Sequence, residues 1–164
     1  MDTTAFTIYD ASAGSGKTYT LTKEYLKILF LATNDDAYRK ILAITFTNKA
    51  VEEMKTRIVS SLYQFSLDNT SDKAMELLKD VASETKLSIA TLKDKSKAII
   101  KNIIHNYAAF DISTIDKFTH KVIRTFAQDL NLPPNFEVSL ETDSLLQEAI
   151  DLVISKAGDE IGRA

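Results

Sequence analysis

The chain has 164 residues, 45% of them hydrophobic, which suits one domain with a sizeable core. It has no cysteine, which excludes a disulfide framework and any thiolate metal site and fits a cytoplasmic protein. The net charge of -3 gives no whole-chain support for nucleic-acid binding, so any DNA contact must be local. No apolar run reaches the ~18 residues of a membrane span, and Met1-Asp2-Thr3-Thr4 lacks the basic start of a secretory signal.

In chain order, Phe6-Thr7-Ile8-Tyr9 reads as a short buried strand. It leads into Ala11-Ser12-Ala13-Gly14-Ser15-Gly16-Lys17-Thr18, a small-residue turn that opens a helix from about Lys17 to Ala32. Gly14 and Gly16, lacking Cβ, allow positive φ, so successive N–H groups can gather around phosphate oxygens. The helix adds its unpaired first-turn N–H groups and the positive end of its dipole. Lys17 would reach the β- and γ-phosphates, and the Thr18 hydroxyl would take one position on Mg²⁺. The expected cradle for ATP comprises Ala11, Ser12, Ala13, Gly14, Ser15, Gly16, Lys17, Thr18 and Tyr19, with Lys17 and Thr18 as catalytic residues and Thr18 as metal ligand. The usual pattern G-x-x-x-x-G-K-[ST] has Ala11 in its first position here, where ordinary negative φ suffices. The competing reading is a Gly/Ser turn with an incidental Lys.

The first helix shows Leu21, Tyr25, Ile28, Leu29 and Ala32 as a face for packing on a sheet. Ile41 to Phe46 is a continuous apolar run, as in a strand buried on both faces of a parallel sheet, and it completes a βαβ unit. Thr47 or Asn48 can cap the next helix, whose buried stripe is Val51, Met54, Ile58, Leu62 and Phe65 and whose Glu53 faces Arg57. Two helical patterns follow, around Ala74 to Ala82 and Leu92 to Tyr107, the second with Leu92, Ile99, Ile100, Ile103, Ile104 and Tyr107 as its apolar face. The lysines between Lys93 and Lys101 read as solvated surface, the alternative being a local basic groove. Phe110 to Ser113 reads as a third strand, and Ser113-Thr114-Ile115-Asp116 as a capping box. The helix Lys117 to Leu130 should bury Phe118, Val122, Ile123, Phe126 and Leu130 and stop before Pro133-Pro134. His120, Lys121 and Arg124 on that helix suit phosphate contact or plain solvent. Phe136 to Val138 is expected to be extended, and a last helix covers about Asp143 to Lys156.

Three of these segments, in this order, resemble the UvrD/Rep/RecB-type superfamily 1 DNA helicases. They are the phosphate loop with its small first residue, Ile41 to Met54 with its Thr-Phe-Thr-Asn-Lys-Ala core, and Ile112-Ser113-Thr114-Ile115-Asp116-Lys117-Phe118. The surroundings of Asp10 to Ala13 and Phe136-Glu137 resemble the RecB and AddA helicase-nucleases. The resemblance implies an α/β fold: a partial P-loop (RecA-like) parallel sheet with an all-helical insertion. It divides the chain into parts of a first motor domain (1–65 and 110–130), a helical insertion (66–109) and a truncated helical extension (131–164). It also implies single-stranded DNA, or duplex with a single-stranded end, at Thr45, Phe46, Thr47, Asn48 and Lys49 and at Thr114, Asp116 and Phe118. Asp116 stands where that family usually has His, and Lys117 where it has a small residue. The chemistry agrees, since Phe46 offers a stacking face and Thr45, Thr47 and Asn48 offer polar groups at a helix start; sheet core and helix cap are the competing roles.

No Walker B carboxylate, water-positioning residue or arginine set is recognisable; Asp159-Glu160 follows no hydrophobic strand and reads as a solvated tail. The expectation is therefore the ATP-binding N-terminal part of an ATP-dependent 3′ to 5′ helicase or helicase-nuclease of recombination and repair, working with a nuclease partner. Such a truncated piece would leave an apolar edge and self-associate. Two alternatives stand beside it. One is a complete nucleotide- or DNA-binding module without hydrolysis. The other is a small-molecule P-loop kinase, which gives no reason for Thr-Phe-Thr-Asn-Lys-Ala.

Overall fold

The computed structural model describes residues 6–9, 16–133, 136 and 142–161, the side chains of 157–161 excepted. The chain falls into two compact units, Met1–His120 and Lys121–Ala164.

The first unit is built from α1 (Lys17–Leu31), β1 (Ala43–Thr45), α2 (Asn48–Ser66), α3 (Asp72–Thr85), α4 (Ile89–His105) and β2 (Ile112–Thr114), with α5 (Ile115–Thr125) beginning in it. Parallel strands need a long crossover, and α2 to α4 supply it. The strands pair in parallel as Ala43↔Ile112, Ile44↔Ser113 and Thr45↔Thr114. The result is a helix-rich α/β arrangement with a small parallel sheet.

Helix α2 organises the core. Its stripe Val51, Met54, Ile58, Leu62 and Phe65 is buried as the three- and four-residue spacing requires. The stripe meets Leu92, Ile99 and Ile103 of α4 and Leu78 and Val81 of α3, all fully buried in one cluster. Each such side chain contributes ~1.5–3 kcal/mol through apolar burial. Phe30 meets Phe65 at 6.4 Å between ring centroids, and Tyr25 sits edge-on to Phe110 at 6.0 Å.

Several expectations are corrected. Phe6 to Tyr9 forms no strand, and Phe6, Ile8 and Tyr9 are 79%, 76% and 56% exposed. A strand exists through bonds to neighbours, and among the described residues the sheet consists of β1 and β2 alone. The run Ile41 to Phe46 contracts to Ala43–Thr45, and its Ile44 is 42% exposed because α2 covers one face of the sheet only. Helix α1 packs mainly on the helices α2, α3 and α4. Its buried face is therefore Thr22, Tyr25, Leu26, Leu29 and Phe30, while Leu21 and Ile28 of the expected face stay exposed.

The lysines of α4 are also more than solvated surface. The Lys95 ammonium donates to the Phe30 and Ala32 carbonyls at 2.7 and 2.8 Å, closing the end of α1. Lys93 does the same for α2 through Leu67 and Asp68 at 2.8 and 3.1 Å. Cations belong there, where carbonyls lack helical partners and the dipole is negative. Ile104 and Tyr107, expected on the buried face of α4, are exposed.

In α5 no residue is buried, contrary to the expected stripe: Val122 is exposed, as are Phe126 and Leu130 in the turns that follow the helix. The helix ends at Thr125, and hydrogen-bonded turns continue to Asn131, whose φ is 55°. The Leu132 N–H donates to the Ala127 carbonyl there at 2.9 Å, a helix-terminating bond that a left-handed Asn permits. The second unit also contains α6 (Thr142–Ile161), whose described side chains are all exposed. Asp159 and Glu160 lie within this helix, not after a strand. Glu137 and Val138 lie outside the described residues.

Candidate nucleotide and nucleic-acid site

Gly16 opens α1 with φ 83° and ψ 18°, a left-handed conformation. Among the described residues no side chain caps this end, and its first turn carries no acidic residue. The first intrahelical bond is Thr20 N–H to the Gly16 carbonyl at 2.9 Å, so the N–H groups of residues 17 to 19 have no acceptor within the helix. Lys17 and Thr18 are exposed beside them. These donors, an exposed ammonium and a hydroxyl suit a phosphate group. Ala11, Ser12, Ala13, Gly14 and Ser15 lie outside the described residues.

The two strands end side by side at Thr45 and Thr114, and each passes directly to a helix start. Thr45 Oγ1 donates to the Thr47 carbonyl at 3.1 Å, and Thr47 Oγ1 accepts from the Ala50 N–H at 3.1 Å. Thr47 is thus the cap of α2. This tight turn turns Phe46 outward, where it is 85% exposed, so the ring is not sheet core. Asn48 and Lys49 are exposed beside it. On the neighbouring strand, Thr114 Oγ1 accepts from the Lys117 N–H at 3.3 Å. The cap of α5 therefore lies one residue later than the expected Ser113, and Asp116 is not its reciprocal partner but an exposed first-turn residue. Phe118 is half-buried one turn on.

One cavity of about 140 Å³ joins these elements; it is lined by Lys17, Thr18 and Leu21 of α1, Thr45 of β1, and Ala50 and Glu53 of α2. The loop helix and the Thr45 segment therefore share a surface at the carboxyl ends of the parallel strands, where open α/β sheets bind ligands. Glu53 had only a helix-surface role in the sequence, as partner of Arg57, which it meets at 2.7 Å. Its place three residues after Ala50 on one helix face was the available signal. Among the described residues no group of three or more His, Asp or Glu could hold a metal alone. A Mg²⁺ here would rest on Thr18 and on phosphate oxygens, which is how this ion is commonly held.

Tyr19 is not among the residues around this cavity. Its hydroxyl donates to Asp80 Oδ2 of α3 at 2.6 Å. One turn on, Lys23 meets Glu84 Oε1 at 2.6 Å, and Lys27 meets Glu84 Oε2 at 2.6 Å. Burial, the Asp80 hydrogen bond and nearby carboxylates push the Tyr19 phenol up to about 12. The bonds from Lys23 and Lys27 hold the Glu84 carboxyl below its ordinary value. Burial raises the Tyr25 phenol, as does the charge of Asp111, and the buried Tyr25 hydroxyl has no hydrogen-bond partner among the described residues.

Fold and site together define an α/β domain with a ligand surface where parallel strands give way to helices. A model of the UvrD/REP helicase N-terminal domain matches residues 3–161, and the chain belongs to that family. Among curated relatives, an ATP-dependent helicase/nuclease subunit of Staphylococcus carnosus (strain TM300) is 29% identical over 160 residues, 96% of this chain and 11% of that protein. The proteins of the same name from Lactobacillus acidophilus and Streptococcus suis (strain 98HAH33) are 32% and 31% identical over 80% and 88% of this chain, covering 9% and 10% of their own lengths. The chain thus spans about a tenth of the relatives it matches. No solved structure matches it. Among the described residues no helix is long and apolar enough to cross a membrane.

Proposed function

We propose that this chain forms the nucleotide- and DNA-contacting part of the first motor domain of an ATP-dependent DNA helicase, of the helicase-nuclease kind that acts in recombination and repair. Residues 1–65 and 110–130 belong to that motor, 66–109 to its helical insertion and 131–164 to an extension. The phosphate loop through Tyr19 holds ATP; Lys17 takes the β- and γ-phosphates and the Thr18 hydroxyl one position on Mg²⁺. Single-stranded DNA crosses the strand ends, with Phe46 stacking on a base and Thr45, Thr47, Asn48 and Lys49 near the backbone. Thr114, Asp116 and Phe118 lie along the same edge. Motion along DNA in the 3′ to 5′ direction and a nuclease partner follow from the family reading. Exposed apolar side chains such as Leu21, Ile28 and Ile44 favour self-association of the isolated chain.

The observation that carries this reading is the shared cavity of Lys17, Thr18 and Thr45. It joins the phosphate-contacting helix start to the base of the exposed Phe46 turn, so ATP and DNA would meet adjoining parts of one surface. Family membership supports the same assignment. Calorimetry of the chain with Mg²⁺-ATP tests it. Binding by the wild type and at least a tenfold loss in Lys17→Ala are expected, because the ammonium pairs with phosphate charge. Equal affinity of the two proteins, or no binding by either, would contradict it.

A further inference from the structure

The nucleotide reading leaves unexplained why the residue directly after Lys17 and Thr18 binds a distant helix. Tyr19 is joined to two places at once. Its backbone N–H belongs to the uncapped first turn of α1, and its hydroxyl is held by Asp80, sixty-one residues away in α3, at 2.6 Å. Phenol-to-carboxylate bonds of this length are among the stronger hydrogen bonds, because the acceptor is charged.

The seam between α1 and α3 is uneven along its length. Farther along, Leu26, Leu29, Leu78 and Val81 lie fully within the common core. At the nucleotide end the helices part around a cavity of about 280 Å³, lined by Tyr19 and Thr22, by Ser61 and Gln64 of α2, and by Ala74 and Leu77 of α3. A close-packed seam transmits no independent motion of its ends, whereas an open one lets α3 shift relative to the first turn of α1. Beside this open end the Tyr19–Asp80 bond links the two helices directly.

We propose that Tyr19 is a positioning residue, fixing the Lys17–Thr18 turn against α3 so that nucleotide occupancy changes the mobility of residues 72–85. The proposal rests on the nucleotide reading above. An anion bound to the first-turn N–H groups orders residues 17 to 19. Because the Tyr19 side chain ends on Asp80, that ordering is passed to the carboxyl-terminal half of α3. Lys23 and Lys27, gripping Glu84 a turn later, keep the two helices in register while this happens.

Amide hydrogen exchange of the whole chain, with and without a non-hydrolysable Mg²⁺-ATP analogue, tests it in the wild type and in Asp80→Ala, which leaves Tyr19 in place and removes the acceptor of its hydroxyl. In the wild type the analogue should slow exchange in α3 several-fold; in Asp80→Ala this nucleotide-dependent difference should vanish while the analogue still binds. If α3 is merely loosened in Asp80→Ala and responds to nucleotide as before, the Tyr19–Asp80 bond is only structural and the proposal is overturned. An unresponsive α3 in a wild type that binds the analogue overturns it too. Absence of any binding by the wild type overturns the nucleotide reading together with it.

Discussion

Helices α2 and α5 carry the same kind of sequence signal and meet opposite fates. Both repeat large apolar residues every three or four positions, yet α2 buries all five of its stripe residues and α5 buries none. The difference is the partner. Helix α2 packs on the sheet and on α4, whereas the apolar residues of α5 are at most half-buried. Amphipathicity states that a face favours burial; it does not supply the surface that buries it.

The largest test of this contrast is a pair of truncations. Ile58→Ala in α2 should cost ~2–5 kcal/mol, through lost transfer energy and the cavity left behind. Phe126→Ala, at a position 52% exposed, should stay within ~0.5 kcal/mol. Urea unfolding of the two variants checks this, and equal losses would mean that Phe126, in the turn after α5, is covered in solution.

How much was legible follows from the same contrast. The α2 stripe, a cap at Thr47 or Asn48 and the Glu53–Arg57 pair were all readable, because each depends on residues within a few positions of one another; the structure makes Thr47 the cap. The strand at Phe6 to Tyr9 and the outward faces of Leu21 and Ile28 were misread, since burial there needs sheet neighbours that local spacing cannot reveal. Lys95 closing α1 from α4, and Tyr19 reaching Asp80, span more than sixty residues and leave no periodic trace. At the candidate site the residue types were legible, and so was the order of the segments. Their meeting around one cavity was not, for it depends on how β1 and β2 pair.

A smaller effect sharpens the contrast from the polar side, where a contact between helices is worth far less than a buried stripe. Lys23 and Lys27 hold the Glu84 carboxyl low. A carboxyl depressed in the fold adds stability that is present above its unfolded pKa of ~4.3 and is lost as pH falls through the folded value. The wild type should therefore exceed Glu84→Gln by less than ~1 kcal/mol at neutral pH, since the pair is partly exposed. Below pH ~4 the gap should close. Urea midpoints across that range provide the check, and a gap independent of pH would remove the ion pair as its source.

The central claim is that the strand ends form a working surface, with the exposed Phe46 ring as its contact for a base. Fluorescence anisotropy with a labelled oligothymidine, comparing the wild-type chain with Phe46→Ala, tests it most directly. Stacking of one base on an aromatic ring is worth ~1–3 kcal/mol, so the variant should bind ~5- to 150-fold more weakly while its fold is unchanged. Equal affinity for the two proteins would show that DNA does not meet the chain at this turn.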